Sequence, residues 1–480
     1  MTNQLNQLLL DKFGYSSFRP GQKEAIQSVL SGRDTLVMLP TGTGKSLCYQ
    51  LPAYLTDGLI LIVSPLLSLM QDQVENLKLM GEKRVVALNS LTPYSERNRI
   101  FKRMNQYRYI YTSPEMLQNN EVMKHLKQIK ISLFVIDEAH CISHWGTDFR
   151  PDYLSLANIR KQLNNPITTA LTATATAQVR DEIIQFLDLD KRETAQIIQS
   201  VDRPEIKFIV EHCKGDKFDK IIHYVKSIQG AGVIYFMSKK LADDVARILR
   251  NEYRINAESY HSDIDGDDKI KIQQQFLNNE IQVICATSAF GMGFDKKDIR
   301  YVIHYHLPDS PEMYLQEVGR ASRDGNLGLG ILLYQPGDEQ IQRHFIEETF
   351  VTREELILVA QKGNKIQFSE DYMLKLAEYF LDKHDTVDDA YRDVSLRKEN
   401  KLKQVEYMVR YTYDAICKRK MLLDYFNEKN NTTLDVCCTH CGLDQTLLYN
   451  QLNELSYVQS ESSSTITNWH ETFKALYNID

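Results

Sequence analysis

The sequence lacks any apolar run approaching the roughly 20 residues that a membrane-spanning helix needs. Its start, Met1-Thr-Asn-Gln-Leu-Asn-Gln7, also lacks the basic-then-apolar layout of a secretion signal. Both absences exclude the membrane classes and lead us to expect a cytoplasmic protein. A surplus of positive charge is missing too, since 57 Lys and Arg stand against 64 Asp and Glu for a net charge of −7. Phosphate-rich partners are bound by clustered Lys and Arg, so any such function must rest on local patches. Cysteine is sparse, with 8 in 480 residues, and Cys48, Cys141, Cys213 and Cys285 are scattered through apolar or mixed sequence as buried thiols would be. What remains is an ordinary globular composition, 43% hydrophobic and 25% charged, in a chain long enough for about three domains.

Short β-branched runs alternate with helical patterns over the first 200 residues: Thr35 to Leu39, Leu59 to Val63, Tyr109 to Tyr111, Phe134 to Ile136 and Ile167 to Leu171. That alternation predicts a parallel sheet covered by helices. A second set follows in Gly232 to Phe236, Gln282 to Ala286, Tyr301 to Tyr305 and Gly330 to Tyr334, and predicts a second α/β lobe. Lys191 to Pro204 reads as the hinge. After Gln335-Pro-Gly-Asp338 the strand signal stops, and Glu354 to Gln361, Tyr372 to Leu381 and Lys401 to Phe426 read as helices. The expected division is lobe 1 over 1–200, lobe 2 over 201–337, a helical domain over 338–445 and a short tail over 446–480.

Pro40-Thr-Gly-Thr-Gly-Lys-Ser46 follows a predicted strand and precedes a helical pattern. Its glycines let backbone N–H groups close round phosphates, Lys45 reaches the terminal phosphates, and Ser46 can ligate Mg²⁺. Thr41, Gly42, Thr43 and Gly44 complete the loop, although Leu39 stands where the usual pattern has a first Gly. Asp137 and Glu138 leave the carboxyl end of the apolar run Ser132-Leu-Phe-Val-Ile136, where parallel sheets bind ligands. One acid can hold Mg²⁺ and the other can orient an attacking water. His140 follows the acids directly, and the loop beyond it carries Trp145, Phe149 and Arg150, an aromatic and basic group able to stack on or clamp single-stranded bases. Trp145 as a core residue is the alternative.

Gly14-Tyr-Ser-Ser-Phe-Arg-Pro-Gly-Gln22, the phosphate loop, Asp137-Glu-Ala-His140 and Trp145-Gly-Thr-Asp-Phe-Arg-Pro151 together resemble the RecQ family of superfamily 2 DNA helicases. Ala289-Phe-Gly-Met-Gly293 and Gln316-Glu-Val-Gly-Arg-Ala-Ser-Arg-Asp-Gly325 extend the resemblance into the second lobe. It implies an α/β fold of two tandem RecA-like parallel-sheet lobes followed by a small helical zinc-binding domain. It makes Gln22 a reader of the adenine edge, with Tyr15 stacking on the ring and Arg19 beside it; a core aromatic beside Phe13 and Phe18 is the other reading of Tyr15. Lys45, Asp137, Glu138, His140, Gln316, Arg320 and Arg323 become catalytic candidates, with Arg323 as the arginine finger. Ser322 stands where the family commonly has Gly, and His144 and Thr147 where it commonly has Gln and His.

Ser64, Ser68 and Gln71 resemble strand-end residues that contact the DNA backbone, and Leu171-Thr-Ala-Thr-Ala175 resembles the motif linking hydrolysis to lobe movement. Cys417 followed by Cys437-Cys-Thr-His-Cys441 resembles the family's zinc module, with two adjacent cysteines where the family spaces them. Either Cys437 and Cys438 both bind, or one is spare and Asp435, His440 or Asp444 completes the set with Cys417 and Cys441. The implied activity is ATP-dependent 3′ to 5′ unwinding in repair and recombination by a monomer, with ATP, Mg²⁺ and Zn²⁺ as cofactors. Single-stranded and forked DNA, and single-strand-binding or other repair proteins, are the implied partners. An RNA helicase and a non-unwinding annealing scaffold are the alternatives. The family often continues with a winged-helix domain and a further helical DNA-binding domain. Too little chain remains for either, so reduced processivity or dependence on a partner is expected.

Overall fold

The computed structural model describes residues 2–143, 150–291, 294–362, 371–428 and 436–463. The first lobe holds β1 (Thr35–Met38), β2 (Leu59–Val63), β3 (Val85–Leu88), β4 (Tyr109–Thr112), β5 (Ile131–Ile136), β6 (Thr168–Thr172) and β7 (Ala195–Ile198). They form one parallel sheet in the order β3-β4-β2-β5-β6-β1-β7. β1, β2 and β6 are buried at every position, and helices cover both faces. One core cluster runs through Leu61, Phe134 and Ala170, the other through Val37, Ile62 and Val135. Successive residues of a strand point to opposite faces, so only a strand covered on both sides can be apolar throughout.

The second lobe holds β8 (Ile206–His212), β9 (Ala231–Tyr235), β10 (Ala257–Tyr260), β11 (Val283–Ala286), β12 (Ile299–His304) and β13 (Gly328–Tyr334). Its parallel sheet has the order β10-β11-β9-β12-β13-β8. Every apolar run in the sequence that reads as a strand contributes to one of these two sheets. Four strands escape that reading, namely β3, β7, β8 and β10. All four lie at sheet edges; β7, β8 and β10 carry polar residues that break the run, as in Ala195-Gln-Ile-Ile198, while β3 is apolar but only four residues long and half-buried at its centre. β7 also corrects the hinge: its residues fall inside Lys191 to Pro204 but pair with β1, leaving only 199–205 between the two sheets.

Beyond β13 come the helices Asp338–Thr349, Arg353–Lys362, Asp371–Lys383, Val387–Tyr413 and Lys418–Tyr425. The helix expected over Lys401 to Phe426 is thus two. The long one starts at Val387, where the Thr386 hydroxyl accepts the Asp389 N–H at 3.1 Å, and ends before an extended Asp414. Leu356, Phe380 and Val394 give these helices a core of their own, while Val405, Met408 and Tyr411 pack into the lobe 2 core. Part of the expected tail is described, and residues 464–480 lie outside the described residues. Gln445–Ser463 is helical and docks Leu448 and Leu452 into the other lobe 2 core, with Asn453 accepting the Gln229 N–H at 2.7 Å. Among the described residues, no helix is long and apolar enough to cross a membrane.

Candidate active site, strand-binding face and metal centre

Neighbouring strands β5, β6 and β1 end at one place, and each delivers part of a site. After β1 the chain enters the glycine loop, where Gly42 and Gly44 take φ of 79° and 74°, a region closed to side chains with a Cβ at low cost. Thr43 donates its hydroxyl to the Pro40 carbonyl at 2.6 Å. The Gln22 amide donates to the carbonyls of Thr43 and Gly44 at 2.7 and 3.1 Å, and Arg19 donates to that of Gly42. Arg19 and Gln22 therefore brace the loop from outside. Tyr15 is 52% exposed beside them, which removes the core reading of that ring.

β5 delivers Asp137 and Glu138. The Asp137 N–H bonds the Val63 carbonyl at 2.9 Å, and its carboxylate accepts the Glu138 N–H at 3.0 Å. Burial pushes the Asp137 carboxyl up to about 7, with the Glu138 charge adding and Lys45 opposing. A carboxyl held that way gains strongly from a cation. Glu138 itself sits at φ 46°, an uncommon left-handed position for a residue with a side chain. Its buried Oε2 lies 3.4 Å from His140 Nδ1 and has no hydrogen-bond partner among the described residues. His140 Nδ1 is in turn 3.0 Å from Thr172 Oγ1, whose hydroxyl donates to the Thr174 carbonyl at 3.1 Å. The acid pair of β5 and the threonine segment after β6 are thus one contiguous polar chain.

Lobe 2 closes the site from the other side. Arg320 and Arg323 follow the helix Pro311–Val318, on which Gln316 lies half-buried. Arg320 donates to the Gly291 carbonyl, and Arg323 to the Phe294 carbonyl at 2.7 Å and the Asp295 carboxylate at 2.9 Å. The Arg323 stem lies over the glycine loop: a Cβ built on Gly42 would stand 2.7 Å from Arg323 Cγ. Burial lowers the Arg323 pKa, Asp295 opposes, and the charges of Arg320 and Arg203 reinforce the fall. Several guanidinium groups therefore converge on a loop built to hold anions.

The strand-binding face is less complete. Arg150 donates to the Pro65 carbonyl at 2.8 Å, tying the loop after β5 to the loop after β2. Gln71 is exposed and donates to Glu75 at 3.0 Å. Ser64 corrects an expectation, because it is only 1% exposed and its hydroxyl is enclosed. Its N–H completes the β2–β4 ladder on the Thr112 carbonyl at 3.0 Å, which turns the side chain inward. Trp145, Phe149, His144, Thr147 and the side chain of Ser68 lie outside the described residues.

The cysteines answer the question left by their spacing. Cys417, Cys437, Cys438 and Cys441 bring their sulfurs within 4.8 Å of one another. Separations are 3.3 Å for Cys417–Cys437, 3.9 Å for Cys437–Cys441, 3.9 Å for Cys417–Cys438 and 3.5 Å for Cys438–Cys441. A tetrahedral site with metal–sulfur bonds of about 2.3 Å has sulfurs about 3.8 Å apart, so the four fit zinc. Both adjacent cysteines belong to the set; neither His440 nor Asp444 joins it, and Asp435 lies outside the described residues. The Lys418 N–H donates to Cys438 Sγ at 3.2 Å, which favours a thiolate there. The same segment pairs with lobe 2, since the Phe208 N–H bonds the Cys437 carbonyl at 3.1 Å and Phe208 bridges Cys438.

Sequence reasoning missed Arg203, Asp295 and Thr172 as members of this region. Only Thr172 stood in a motif; the other two are single charged residues whose partners come from distant segments.

Three family descriptions match along the chain: DEAD/DEAH box helicase over residues 19–183, helicase conserved C-terminal domain over 216–325, and RecQ zinc-binding over 336–444. The chain is 43% identical to the probable ATP-dependent DNA helicase RecS of Bacillus subtilis, over 99% of its own length and 98% of that protein. To the ATP-dependent DNA helicase RecQ of the same organism it is 36% identical, over 92% of this chain and 67% of the relative. The RecQ of Haemophilus influenzae is 33% identical, with 98% and 68% covered. Among solved structures, Mss116p bound to single-stranded RNA and AMP-PNP aligns with a TM-score of 0.60 at 18% identity, over 89% of this chain and 90% of that one. The helicase MrfA bound to DNA aligns at 0.59 and 18%, over 72% and 50%. These two likenesses concern the fold.

Proposed function

The chain belongs to the RecQ family of ATP-dependent DNA helicases, and from that premise we propose that it is a single-strand-stimulated ATPase that moves 3′ to 5′ and unwinds duplex DNA in repair and recombination. The observation that carries the reading is the meeting of β5, β6 and β1 with the lobe 2 arginines at the glycine loop. Lys45 and the loop N–H groups bind the nucleotide phosphates, and Tyr15, Arg19 and Gln22 hold its base. Ser46 and Asp137 would hold Mg²⁺, which supplies charge neutralisation on the phosphates when bound. Glu138 orients the attacking water, and His140 ties that acid to Thr172. Gln316, Arg320 and Arg323 face the phosphates from lobe 2, where an arginine finger contributes a factor of about 10³ to 10⁵ in rate.

The DNA strand crosses the loops that follow β2 and β5, with Gln71, Arg150, Trp145 and Phe149 as its contacts. Stacking a base on an aromatic contributes about 1–3 kcal/mol, and opening one duplex step costs about 1.4 kcal/mol. Shifting bases between stacking positions can therefore drive stepping. Cys417, Cys437, Cys438 and Cys441 would hold Zn²⁺, which ties the helical domain to lobe 2.

The test is ATP turnover with and without single-stranded DNA, together with unwinding of 3′-tailed and 5′-tailed duplexes. Turnover should rise with DNA and only the 3′-tailed duplex should open. Lys45→Ala should abolish hydrolysis in a folded chain, and a folded variant with normal turnover would remove the phosphate-loop assignment. Annealing without any hydrolysis would favour a scaffold instead.

A further inference from the structure

Asp202-Arg203-Pro204 lies between β7 and β8, in the short crossover between the lobes. Arg203 is 13% exposed there, and all five of its guanidinium N–H donors are used. One terminal nitrogen donates to the Thr41 carbonyl at 2.9 Å and the Gly319 carbonyl at 3.2 Å. The other donates to the carbonyls of Ala321 and Ser322 at 3.2 and 2.8 Å, and Nε to Glu205 at 2.5 Å. Thr41 opens the glycine loop of lobe 1; Gly319, Ala321 and Ser322 flank Arg320 and Arg323 of lobe 2. A direct bond from the Thr41 hydroxyl to the Gly319 carbonyl at 3.0 Å joins the same two segments.

We propose that Arg203 is a positioning residue for hydrolysis: a pin at the pivot between the lobes that sets where Arg320 and Arg323 stand relative to the phosphate loop. The proposal rests on the ATP-site reading above. A carbonyl needs a donor in line with its lone pairs, so four carbonyls from two lobes sharing one rigid fork fix both segments in a common frame. Arg203 touches no phosphate, because its donors are all taken by protein. It sits at the pivot, so its bonds can persist while the outer parts of the cleft open and close. Lysine carries three donors on a flexible stem and can serve only part of this arrangement.

The experiment compares Arg203→Ala and Arg203→Lys with the unaltered chain in two measurements. One is the dissociation constant of a fluorescent ATP analogue, the other kcat for DNA-stimulated hydrolysis, both per folded molecule by calorimetry. A misplacement of about 1 Å costs about 100-fold in rate. Arg203→Ala should therefore lower kcat by about that factor and leave the dissociation constant within about threefold, while Arg203→Lys should recover about tenfold of the loss. Should Arg203→Ala not fold, Arg203→Lys alone decides, with kcat down about tenfold and nucleotide affinity kept. An unchanged kcat in the folded variant, or loss of nucleotide affinity in step with kcat, overturns the proposal. Lys45→Ala distinguishes the two readings: normal turnover there removes the ATP site itself, whereas a dead Lys45→Ala beside a fully active Arg203→Ala removes only the pin.

Discussion

Arg419→Met is the most informative test of how the helical domain holds the two lobes. Arg419 lies on the helix Lys418–Tyr425 with its side chain 1% exposed, yet it reaches into the crossover. It pairs with the Asp202 carboxylate and donates to the carbonyls of Arg203, at 3.0 Å, and Ile206. Its guanidinium carbon lies 5.2 Å from the Phe208 ring centre. Methionine keeps much of the volume and removes the charge, which takes the Arg419 guanidinium away from an Asp202 side chain only 12% exposed. Removing one partner of a buried pair costs about 3–5 kcal/mol, and the slight exposure of Asp202 favours the lower figure. For a unit of 150–250 residues, 1 kcal/mol shifts Tm by about 2–4 °C. Calorimetry should therefore show the lobe 2 transition lowered by about 6–12 °C. Asp202→Asn combined with Arg419→Met should regain about half of that, because the carboxylate charge that Arg419 offset is gone too. A single variant within about 2 °C of the unaltered chain, or a double variant no better than the single, would refute the reasoning.

Ser322→Gly should stabilise the chain by about 1 kcal/mol in thermal unfolding, since Ser322 holds φ 60° and its buried hydroxyl has no hydrogen-bond partner among the described residues. Glu312 gives a pH test. Burial pushes its carboxyl up to about 7, against hydrogen bonding from Tyr425 at 2.8 Å. Between about pH 4.5 and 7 the folded chain holds a proton that the unfolded chain has released, so this group's contribution falls as pH rises through that window and is level above it. Glu312→Gln should remove the slope, making the variant the more stable form at pH 8, by on the order of 3 kcal/mol in denaturant titrations, and near parity at pH 4. For the metal centre, zinc released by a thiol reagent and counted with a chelating dye should be about one equivalent per chain. Cys437→Ser and Cys438→Ser should each reduce it, while His440→Ala should leave it unchanged.

How much of this was legible depended on where the information sits. Leu59–Val63 and the end of β5 declare themselves because strands covered on both faces must be apolar throughout. β7 does not, because an edge strand spreads polar residues among apolar ones, and β3 does not because its four residues, two of them only half-buried, make too short a run. The glycine loop and acid pair were readable because their chemistry is local in sequence. Arg203 was not: it is one arginine in a linker, and its meaning arises from carbonyls more than a hundred residues away on either side. The adjacent cysteines were half-legible. Their residue types pointed to metal, but only the folded backbone, with Cys438 extended just before the turn Thr439–Cys441, brought both sulfurs to the set.

The pairing of the cysteine segment with Phe208 bears on the order in which the chain is made. β8 is an edge strand of the lobe 2 sheet, and the residues that cover it, Cys437 and Cys438, come more than 200 residues later in the chain. Thr439, which accepts the Val210 N–H at 3.4 Å through its hydroxyl, lies 229 residues beyond it. During synthesis, lobe 2 can therefore assemble while its edge is still open, and an open edge is a template for pairing with another chain. Metal capture by the four thiols would then close that window, so zinc supply during translation should govern how much of the protein remains soluble.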